Sequence, residues 1–240
     1  MRPRQARQGR SPSSDRGLRE DEGPRQARQG RSPSSDKASQ SSIRAVFFDI
    51  GNVLLRFHAG QVVRRMAAAL GLHPLRVARI ALSGSLTDSI ERGELDGRTL
   101  HGMFREQLGF SGTPREFKRL WCDHFTPEPG THALLRRVSG RCKVFLLSNT
   151  NRLHYDFIRA NFEFPKRVHG AVLSYRLGMR KPEPRIYREA LRRAGCRPEE
   201  AFFVDDLEEN VRAAEAVGMR AMRYTGAADL ERELKSLRVL

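Results

Sequence analysis

Short apolar runs alternate with amphipathic stretches through most of the chain. The runs are five or six residues long and rich in β-branched and aromatic residues, which is typical of buried strands. The amphipathic stretches carry apolar residues at helical spacing. Strands that alternate with helices predict an α/β fold with a parallel sheet and right-handed crossovers. The predicted strands are 43–48, 142–147, 168–173, 201–205 and 220–224, and the predicted helices are 132–138, 150–162, 184–195 and 208–218.

Residues 57–126 break this alternation, because helical spacing recurs there without an apolar strand in between. Several short helices inserted between two strands would make a small bundle. We therefore predict a core domain made of 43–56 and 127–240, interrupted by a helical subdomain at 57–126. The inserted helices are marked by capping or breaking residues at their ends. These residues are Gly71, Pro74, Asp96, Thr113 and Pro114.

The first 42 residues contain almost nothing that could form a core. The sequence of 3–15 recurs letter for letter at 24–36, and it consists largely of Arg, Gln, Ser, Pro and Gly. Such a composition cannot bury enough apolar surface to offset the entropy of ordering. We predict a disordered basic tail with an internal duplication.

Composition narrows the function classes only slightly. The chain has 240 residues and a formal net charge of +16, which makes nucleic acid a candidate partner. The arginines are scattered and lack interleaved aromatic residues, so we expect no nucleic-acid partner, with the basic tail as the only hint of one. No apolar run approaches the length of a membrane span, and the amino terminus lacks a secretory signal. Together with three widely spaced cysteines, Cys122, Cys142 and Cys196, this predicts a cytoplasmic location.

Polar residues stand where three predicted strands end and before one predicted helix. Each cluster alone is typical of turns and helix caps. Ligands in open α/β sheets bind in the crevice beyond the carboxyl ends of the strands, so these groups are also candidates for a site. In chain order they are Asp49, then Ser148 and Asn149, then Lys181, then Asp205 and Asp206.

This ordered set resembles the four-motif signature of the haloacid dehalogenase superfamily, over roughly residues 43–225. The resemblance implies a Rossmann-like, three-layer α/β/α core with a parallel sheet. It places the strand of Asp49 in the centre, between those of Ser148 and Asp205. It also implies that residues 57–126 form a helical cap of the first type (C1), which closes over the site and selects substrates.

The resemblance also implies roles for these residues. Asp49 would attack phosphorus and become an acyl phosphate, which divides hydrolysis into two displacements. Lys181 would supply a positive charge to the phosphate and the nucleophile. The Ser148 hydroxyl and the Asn149 amide would bind the transferring phosphoryl oxygens.

A magnesium site is implied at the same place. Two adjacent carboxylates, Asp205 and Asp206, favour a cation, and hard oxygen ligands suit Mg²⁺. By resemblance, Asp205 would bind the metal directly, together with Asp49 and the carbonyl of Gly51. Asp206 would orient the ligands from behind. The structural alternative is a solvated acidic turn at the start of a helix.

Gly51 departs from the usual pattern of the superfamily. Most of its phosphatases carry a second aspartate there, which protonates the leaving oxygen and contributes on the order of 100- to 10,000-fold. Three resolutions stay open: a better leaving group, a proton donor from the cap or the substrate, or a weak or inactive enzyme that still binds phosphorylated ligands. The wider sequence resembles a bacterial subgroup typified by α-D-glucose-1-phosphate phosphatase, which shares this glycine. That resemblance also makes Glu91 and Arg92 candidates for substrate contact.

The sequence therefore predicts a Mg²⁺-dependent phosphatase that hydrolyses a small phosphomonoester, a sugar phosphate, through an aspartyl-phosphate. The alternatives are a 2-haloacid dehalogenase-type hydrolase and a weak or non-catalytic protein that binds phosphorylated ligands. We expect a small phosphorylated metabolite as partner and no membrane partner. For the oligomeric state, monomer and homodimer both stay open.

Overall fold

The computed structural model describes residues 42–240, so all but the last residue of the predicted tail lies outside the described residues. The described part contains seven strands and eleven α-helices. The strands are β1 (Ala45–Phe48), β2 (Leu55–Phe57), β3 (Phe125–Pro127), β4 (Lys143–Ser148), β5 (Gly170–Leu173), β6 (Ala201–Asp205) and β7 (Arg220–Arg223). The helices are α1 (Ala59–Leu70), α2 (Pro74–Ala81), α3 (Gly84–Glu91), α4 (Gly97–Leu108), α5 (Pro114–Cys122), α6 (Pro129–Ser139), α7 (Arg152–Asn161), α8 (Ser174–Leu177), α9 (Pro184–Ala194), α10 (Glu208–Ala216) and α11 (Ala227–Ser236).

Five parallel strands form the central sheet in the order β5–β4–β1–β6–β7. The predicted central position of the first strand, between the strands that end on Ser148 and Asp205, is confirmed. Phe48 is level with Leu146 on one neighbour and with Val204 on the other. Because the three strands run in the same direction, the residues that follow these positions meet at one edge of the sheet.

Both faces of the sheet are covered, which explains why its strands read as continuous apolar runs. Val46 and Phe48 of β1 belong to the core beneath α6, α7 and α11. Ala45 and Phe47 belong to the core beneath α9 and α10 on the opposite face. Alternate residues of each strand point to opposite faces, so the arrangement has three layers, as the resemblance implied.

Helices α1 to α5 lie between β2 and β3 in the sequence and have a hydrophobic core of their own. Three of the predicted helix caps are present: Gly71 is left-handed after α1, the Asp96 carboxylate accepts a hydrogen bond from the Thr99 amide, and the Thr113 hydroxyl accepts one from the Glu116 amide. Strands β2 and β3 pair antiparallel where the helical segment leaves and rejoins the core. The longest helices have twelve residues, and no helix within 42–240 is long and apolar enough to cross a bilayer.

Candidate active site

Asp49 is the first residue after β1, and its amide donates to the Val204 carbonyl at 3.0 Å, which continues the ladder with β6. The side chain is almost fully buried, 7% exposed, at the edge of the sheet. Burial raises the pKa of the Asp49 carboxyl to about 7, with Lys181 acting in the opposite direction. A buried carboxylate with a single cationic neighbour is an arrangement typical of a reactive site rather than of a turn.

Lys181 lies between two carboxylates and is not a surface lysine. Its Nζ is 2.8 Å from Asp49 Oδ1 and 2.5 Å from Asp205 Oδ2, and the side chain is only 1% exposed. Burial opposes its charge, but the two carboxylates outweigh burial and raise the pKa of the ammonium. The approach to Asp49 is not directed as a hydrogen bond, so Asp49 Oδ1 keeps its acceptor capacity.

Asp205 and Asp206 end β6 and differ in burial. Asp205 is fully buried, and its Oδ1 accepts from the Leu207 amide and from Asn210 Nδ2, both at 2.9 Å. Asp206 is half-buried and accepts from Asn52 Nδ2 at 2.9 Å. These contacts fix Asp205 with respect to the start of α10 and Asp206 with respect to the turn after β1.

The structure brings the carboxylates of Asp49, Asp205 and Asp206 together, with one oxygen from each within 4.8 Å of the others. Three acidic groups at such distances repel one another unless cations compensate them, and a single ammonium leaves part of the charge uncompensated. Hard carboxylate oxygens are the donors that Mg²⁺ prefers, and Asp49 Oδ1 is a buried acceptor without a directed donor. The residues present therefore fit a magnesium ion.

Ser148 and Asn149 follow β4 at the same edge. The Ser148 hydroxyl is buried and lowers the pKa of Asp49, against the larger effect of burial. Asn149 has a different environment from the one that the sequence suggested. Its Oδ1 accepts from the Lys181 amide at 2.8 Å, and its Nδ2 donates to the Lys181 carbonyl at 2.9 Å. The side chain thus ties the backbone of the lysine loop to the end of β4.

Gly51 lies in the tight turn after β1, in which the amides of Leu54 and Leu55 both donate to the Ile50 carbonyl. A Cβ at Gly51 would meet Asp49 Oδ2 at 3.9 Å, an ordinary van der Waals distance. Steric exclusion therefore does not explain the glycine. The position has room for a side chain beside the Asp49 carboxylate.

A cavity of about 330 Å³ opens at this edge. Of the predicted residues, it is lined by Asp49, Gly51, Glu91, Ser148, Asn149, Lys181 and Asp206. Asp205 lies behind Lys181, without exposure.

The two residues predicted from the cap, Glu91 and Arg92, separate in the structure. Glu91 ends α3, lines the cavity and pairs with Arg180 at 2.9 Å, and burial raises the pKa of its carboxyl. Arg92 is not among the lining residues and pairs with Asp88 at 2.9 Å and Glu183 at 2.7 Å. The structure thus directs Arg92 away from the cavity, and Arg180, which the sequence did not suggest, takes a place in its lining.

Two histidines that the sequence did not mark as candidates also line the cavity. His154 Nε2 donates to the Trp121 carbonyl at 3.3 Å, His154 Nδ1 accepts from Asn151 Nδ2 at 3.0 Å, and burial lowers the pKa of the ring to about 4. His124 is 3% exposed, and neither ring nitrogen has a hydrogen-bond partner among the described residues. Burial, chiefly, lowers the pKa of His124 to about 3. Both rings are therefore neutral parts of an aromatic cluster with Phe57 and Phe125.

We predict that His124→Phe stabilises the protein, and more so at acid pH. The unfolded imidazole titrates near 6.5, so the wild type loses stability as the pH falls below that value toward the depressed pKa of the folded state. The loss amounts to about 2 kcal/mol at pH 5. Urea denaturation at pH 7.5 and pH 5 measures the difference between variant and wild type. The exposed His73, replaced by Asn to keep its capping acceptor, is the control. A stability gain that does not grow on acidification would contradict this prediction.

The geometry agrees with comparisons to known proteins. The family profile of the haloacid dehalogenase-like hydrolases matches residues 43–218, almost three quarters of the chain. The chain belongs to the haloacid dehalogenase-like hydrolases. It is a hydrolase of this family, and the superfamily predicted from the four polar clusters is confirmed.

Relatives of this hydrolase include phosphatases. A sesquiterpene phosphatase of Aspergillus oryzae is 25% identical over 199 residues, which cover 82% of this chain and 97% of the relative. A D-ribitol-5-phosphate phosphatase of Bacteroides thetaiotaomicron is 25% identical over 202 residues, covering 80% and 97%. A solved haloacid dehalogenase family enzyme from the same bacterium, in complex with magnesium and inorganic phosphate, superimposes with a TM-score of 0.69. At 24% identity, covering 77% of this chain and 96% of that one, the last likeness supports the fold.

Proposed function

We propose that this hydrolase is a Mg²⁺-dependent phosphatase of small phosphomonoesters that works through an aspartyl-phosphate on Asp49. The observation that carries the proposal is the surroundings of the Asp49 carboxylate. It is buried in the cavity lining, lies 2.8 Å from the Lys181 ammonium and stands within 4.8 Å of two further carboxylates. The Lys181 ammonium, together with a magnesium ion held by the carboxylates, would position a phosphate against the carboxylate nucleophile and compensate its charge.

In the first step an oxygen of Asp49 attacks phosphorus, and the bond from phosphorus to the ester oxygen breaks with its electron pair staying on the ester oxygen, which leaves as an alkoxide and takes a proton from solvent water. Water then attacks the phosphorus of the acyl phosphate, which returns the Asp49 carboxylate and releases phosphate. Lys181 compensates charge on Asp49 and on the phosphoryl oxygens in both steps, and the Ser148 hydroxyl donates to those oxygens. Mg²⁺, held by Asp49, the Gly51 carbonyl and Asp205 with Asp206 in support, would neutralise charge on the phosphoryl group.

Asn149 acts in this proposal through Lys181. Its two hydrogen bonds to the Lys181 backbone hold the lysine loop against the end of β4. A displacement of about 1 Å in a catalytic group can cost on the order of 100-fold. The predicted contact of the Asn149 amide with phosphate stays a prediction beside this positioning role.

Helices α1 to α5 are proposed as the cap over this site, so that 57–126 is a subdomain and 43–56 with 127–240 is the core domain. Glu91 supports the proposal, because it comes from α3 and lines the same cavity as Asp49. Ion pairs join the two parts on one side: Arg180 binds Asp88 and Glu91, both at 2.9 Å. In this arrangement Arg92 binds Glu183, 2.7 Å away, and so strengthens the contact between the cap and the core domain. Its proposed role is therefore this contact and not the binding of substrate.

The metal-dependence is tested with a panel of phosphorylated metabolites, assayed with and without EDTA. We expect turnover to fall to background on chelation and to return when Mg²⁺ is added back. The alternative of a 2-haloacid dehalogenase predicts release of halide from 2-haloacids that survives EDTA. The non-catalytic alternative predicts binding of phosphorylated ligands without turnover. The cluster of three carboxylates favours the phosphatase, because a metal-free site gains nothing from the adjacent Asp205 and Asp206.

The substrate proposed from the sequence is a sugar phosphate, since Gly51 removes the usual general acid and an anomeric phosphate leaves more easily. We predict that Gly51→Asp raises turnover of phosphates with poor leaving groups relative to glucose 1-phosphate, by about tenfold or more. A Cβ at this position meets no atom closer than Asp49 Oδ2, at 3.9 Å. The ratio of kcat/KM for glucose 6-phosphate to that for glucose 1-phosphate measures the effect, with Gly51→Ala as the control without a carboxyl. An unchanged ratio would refute the explanation of the glycine.

The cellular location is proposed from the cysteines alone. The three cysteines, Cys122, Cys142 and Cys196, are unpaired, as they would be in a reducing cytoplasm. We therefore keep the cytoplasmic location as a proposal. A small phosphorylated metabolite remains the proposed partner, and monomer and homodimer remain open as oligomeric states.

A further inference from the structure

The cavity has an apolar side that the phosphate chemistry does not use. The catalytic groups come from the sheet edge, whereas the inserted helices and the strands that join them contribute mostly hydrocarbon. The main apolar lining residues from this part are Phe57, Val62, Leu82, Ile90, Trp121 and Phe125. Three of these six are aromatic, and aromatic surface contributes strongly to the binding of apolar ligands.

Exposed apolar side chains also gather at this cavity. The large hydrophobic residues that are exposed within 42–240 are Phe57 (38%), Leu75 (73%), Leu82 (49%) and Leu207 (49%). All but Leu75 line the cavity. Single exposed apolar residues are common, but a group of them around one opening indicates a binding surface.

Several polar side chains of the lining are already engaged with each other. Glu91 and Arg180 form an ion pair at 2.9 Å, and Asn151 and His154 form two hydrogen bonds, both at 3.0 Å. Asn149 is occupied by the Lys181 backbone. A polyol would have to displace these contacts or rely on lining groups without a partner among the described residues, such as the ring nitrogens of His124, and a buried hydroxyl without a partner is costly.

Resting on the proposed phosphatase function, we propose that the preferred substrates are phosphomonoesters of small apolar alcohols, aromatic ones above all. The phosphate occupies the sheet edge at Asp49 and Lys181, and the apolar part contacts Phe57, Leu82 and Trp121. The cavity volume of about 330 Å³ is near the lower end for ligand sites, which suits a single ring beside the phosphate. This substrate class differs from the sugar phosphate that the sequence resemblance suggested.

The test compares benzyl phosphate with glucose 6-phosphate. Both are esters of primary alcohols, so their leaving groups are alike and a difference reports the contact with the alcohol part. With Mg²⁺ present, we expect kcat/KM to be at least tenfold higher for benzyl phosphate. Equal or higher kcat/KM for glucose 6-phosphate overturns the substrate class and leaves the phosphatase standing; glucose 1-phosphate, whose anomeric oxygen leaves more easily, is assayed only to detect turnover. Absence of turnover with all three esters overturns the phosphatase and the substrate class together.

A matched pair of leucines localises the effect. Leu75 and Leu82 are both exposed, stand at opposite ends of α2 and differ in that Leu82 lines the cavity. We expect Leu82→Ser to lower kcat/KM for benzyl phosphate at least threefold, through KM, with less than a twofold change for glucose 6-phosphate. Leu75→Ser should change neither. Equal effects of the two substitutions on kcat/KM for benzyl phosphate, or equal effects of Leu82→Ser on kcat/KM for both esters, overturn the assignment of Leu82 to the binding site of the apolar alcohol.

Discussion

Replacing Asp49 by Asn is expected to abolish phosphomonoester hydrolysis, with a loss of about 10,000-fold or more in kcat. The amide keeps the shape of the carboxylate but cannot form the acyl phosphate. The covalent route is therefore closed, while Ser148 and Lys181 remain in place. Initial rates at saturating Mg²⁺ measure the loss. Mass spectrometry of acid-quenched reactions should find a phosphoryl group on Asp49 in the wild type and none in the variant.

The fold should tolerate this substitution, because two opposing effects act on Asp49. Burial disfavours its charge, as the raised pKa of about 7 records, whereas the ion pair with Lys181 favours it. Asp156→Asn is the control: this aspartate lies on the surface of α7, with a side chain that is 45% exposed, and should keep full activity. Normal turnover by Asp49→Asn with native thermal stability would exclude the covalent mechanism.

The sheet could be predicted because each of its strands is buried on both faces. Such strands leave an apolar run in the sequence, and the polar residue that ends the run falls at the sheet edge. Asp49, Ser148 and Asp205 were found in this way, and the strand order followed from the superfamily pattern. Lys181 has no strand of its own, so its burial could not be inferred from local pattern and required the resemblance.

Elements without a strong local pattern were missed. Strands β2 and β3 have three residues each and are defined by pairing with one another across more than sixty residues. Helix α3 carries none of the predicted markers, and its end at Glu91 became visible only in three dimensions. The sequence likewise could not separate Glu91 from Arg92, because adjacent residues on a helix point in directions about 100° apart. Tertiary neighbours decide which one faces the cavity.

Asn149 shows a second kind of contact that cannot be predicted from the sequence. Ser-Asn after a strand is a common cap, and the resemblance suggested a phosphate ligand. In the structure its side chain is hydrogen-bonded to the backbone of Lys181, 32 residues away in the chain, which the sequence did not indicate. Backbone groups carry no sequence signal, so a contact of this kind cannot be read from residue types. The same holds for the apolar side of the cavity, whose six residues lie in or directly after six separate helices and strands.

Replacing Lys181 by Met is expected to impair both activity and stability. The substitution keeps much of the volume against Phe203, whose ring centroid is 5.4 Å from Nζ, but removes the charge between Asp49 and Asp205. Breaking a buried ion pair by removing one partner costs about 3–5 kcal/mol, because the remaining charge is left uncompensated. The melting temperature should then fall by on the order of 10 °C. Turnover should fall at least about 1,000-fold, since charge stabilisation of the phosphoryl group is lost.

The same variant separates the lysine from the metal site. With the ammonium gone, the acidic cluster carries more uncompensated negative charge, so added Mg²⁺ should raise the melting temperature of Lys181→Met more than that of the wild type. Lys166→Met removes an exposed lysine whose ion pair with Glu163 is solvated, and should change stability by less than about 1 kcal/mol. Thermal unfolding of the three proteins across a Mg²⁺ titration gives the comparison. If Lys181→Met melts like the wild type and responds to Mg²⁺ in the same way, then Lys181 does not compensate Asp49 and Asp205, and the assignment of these residues to one catalytic centre is wrong.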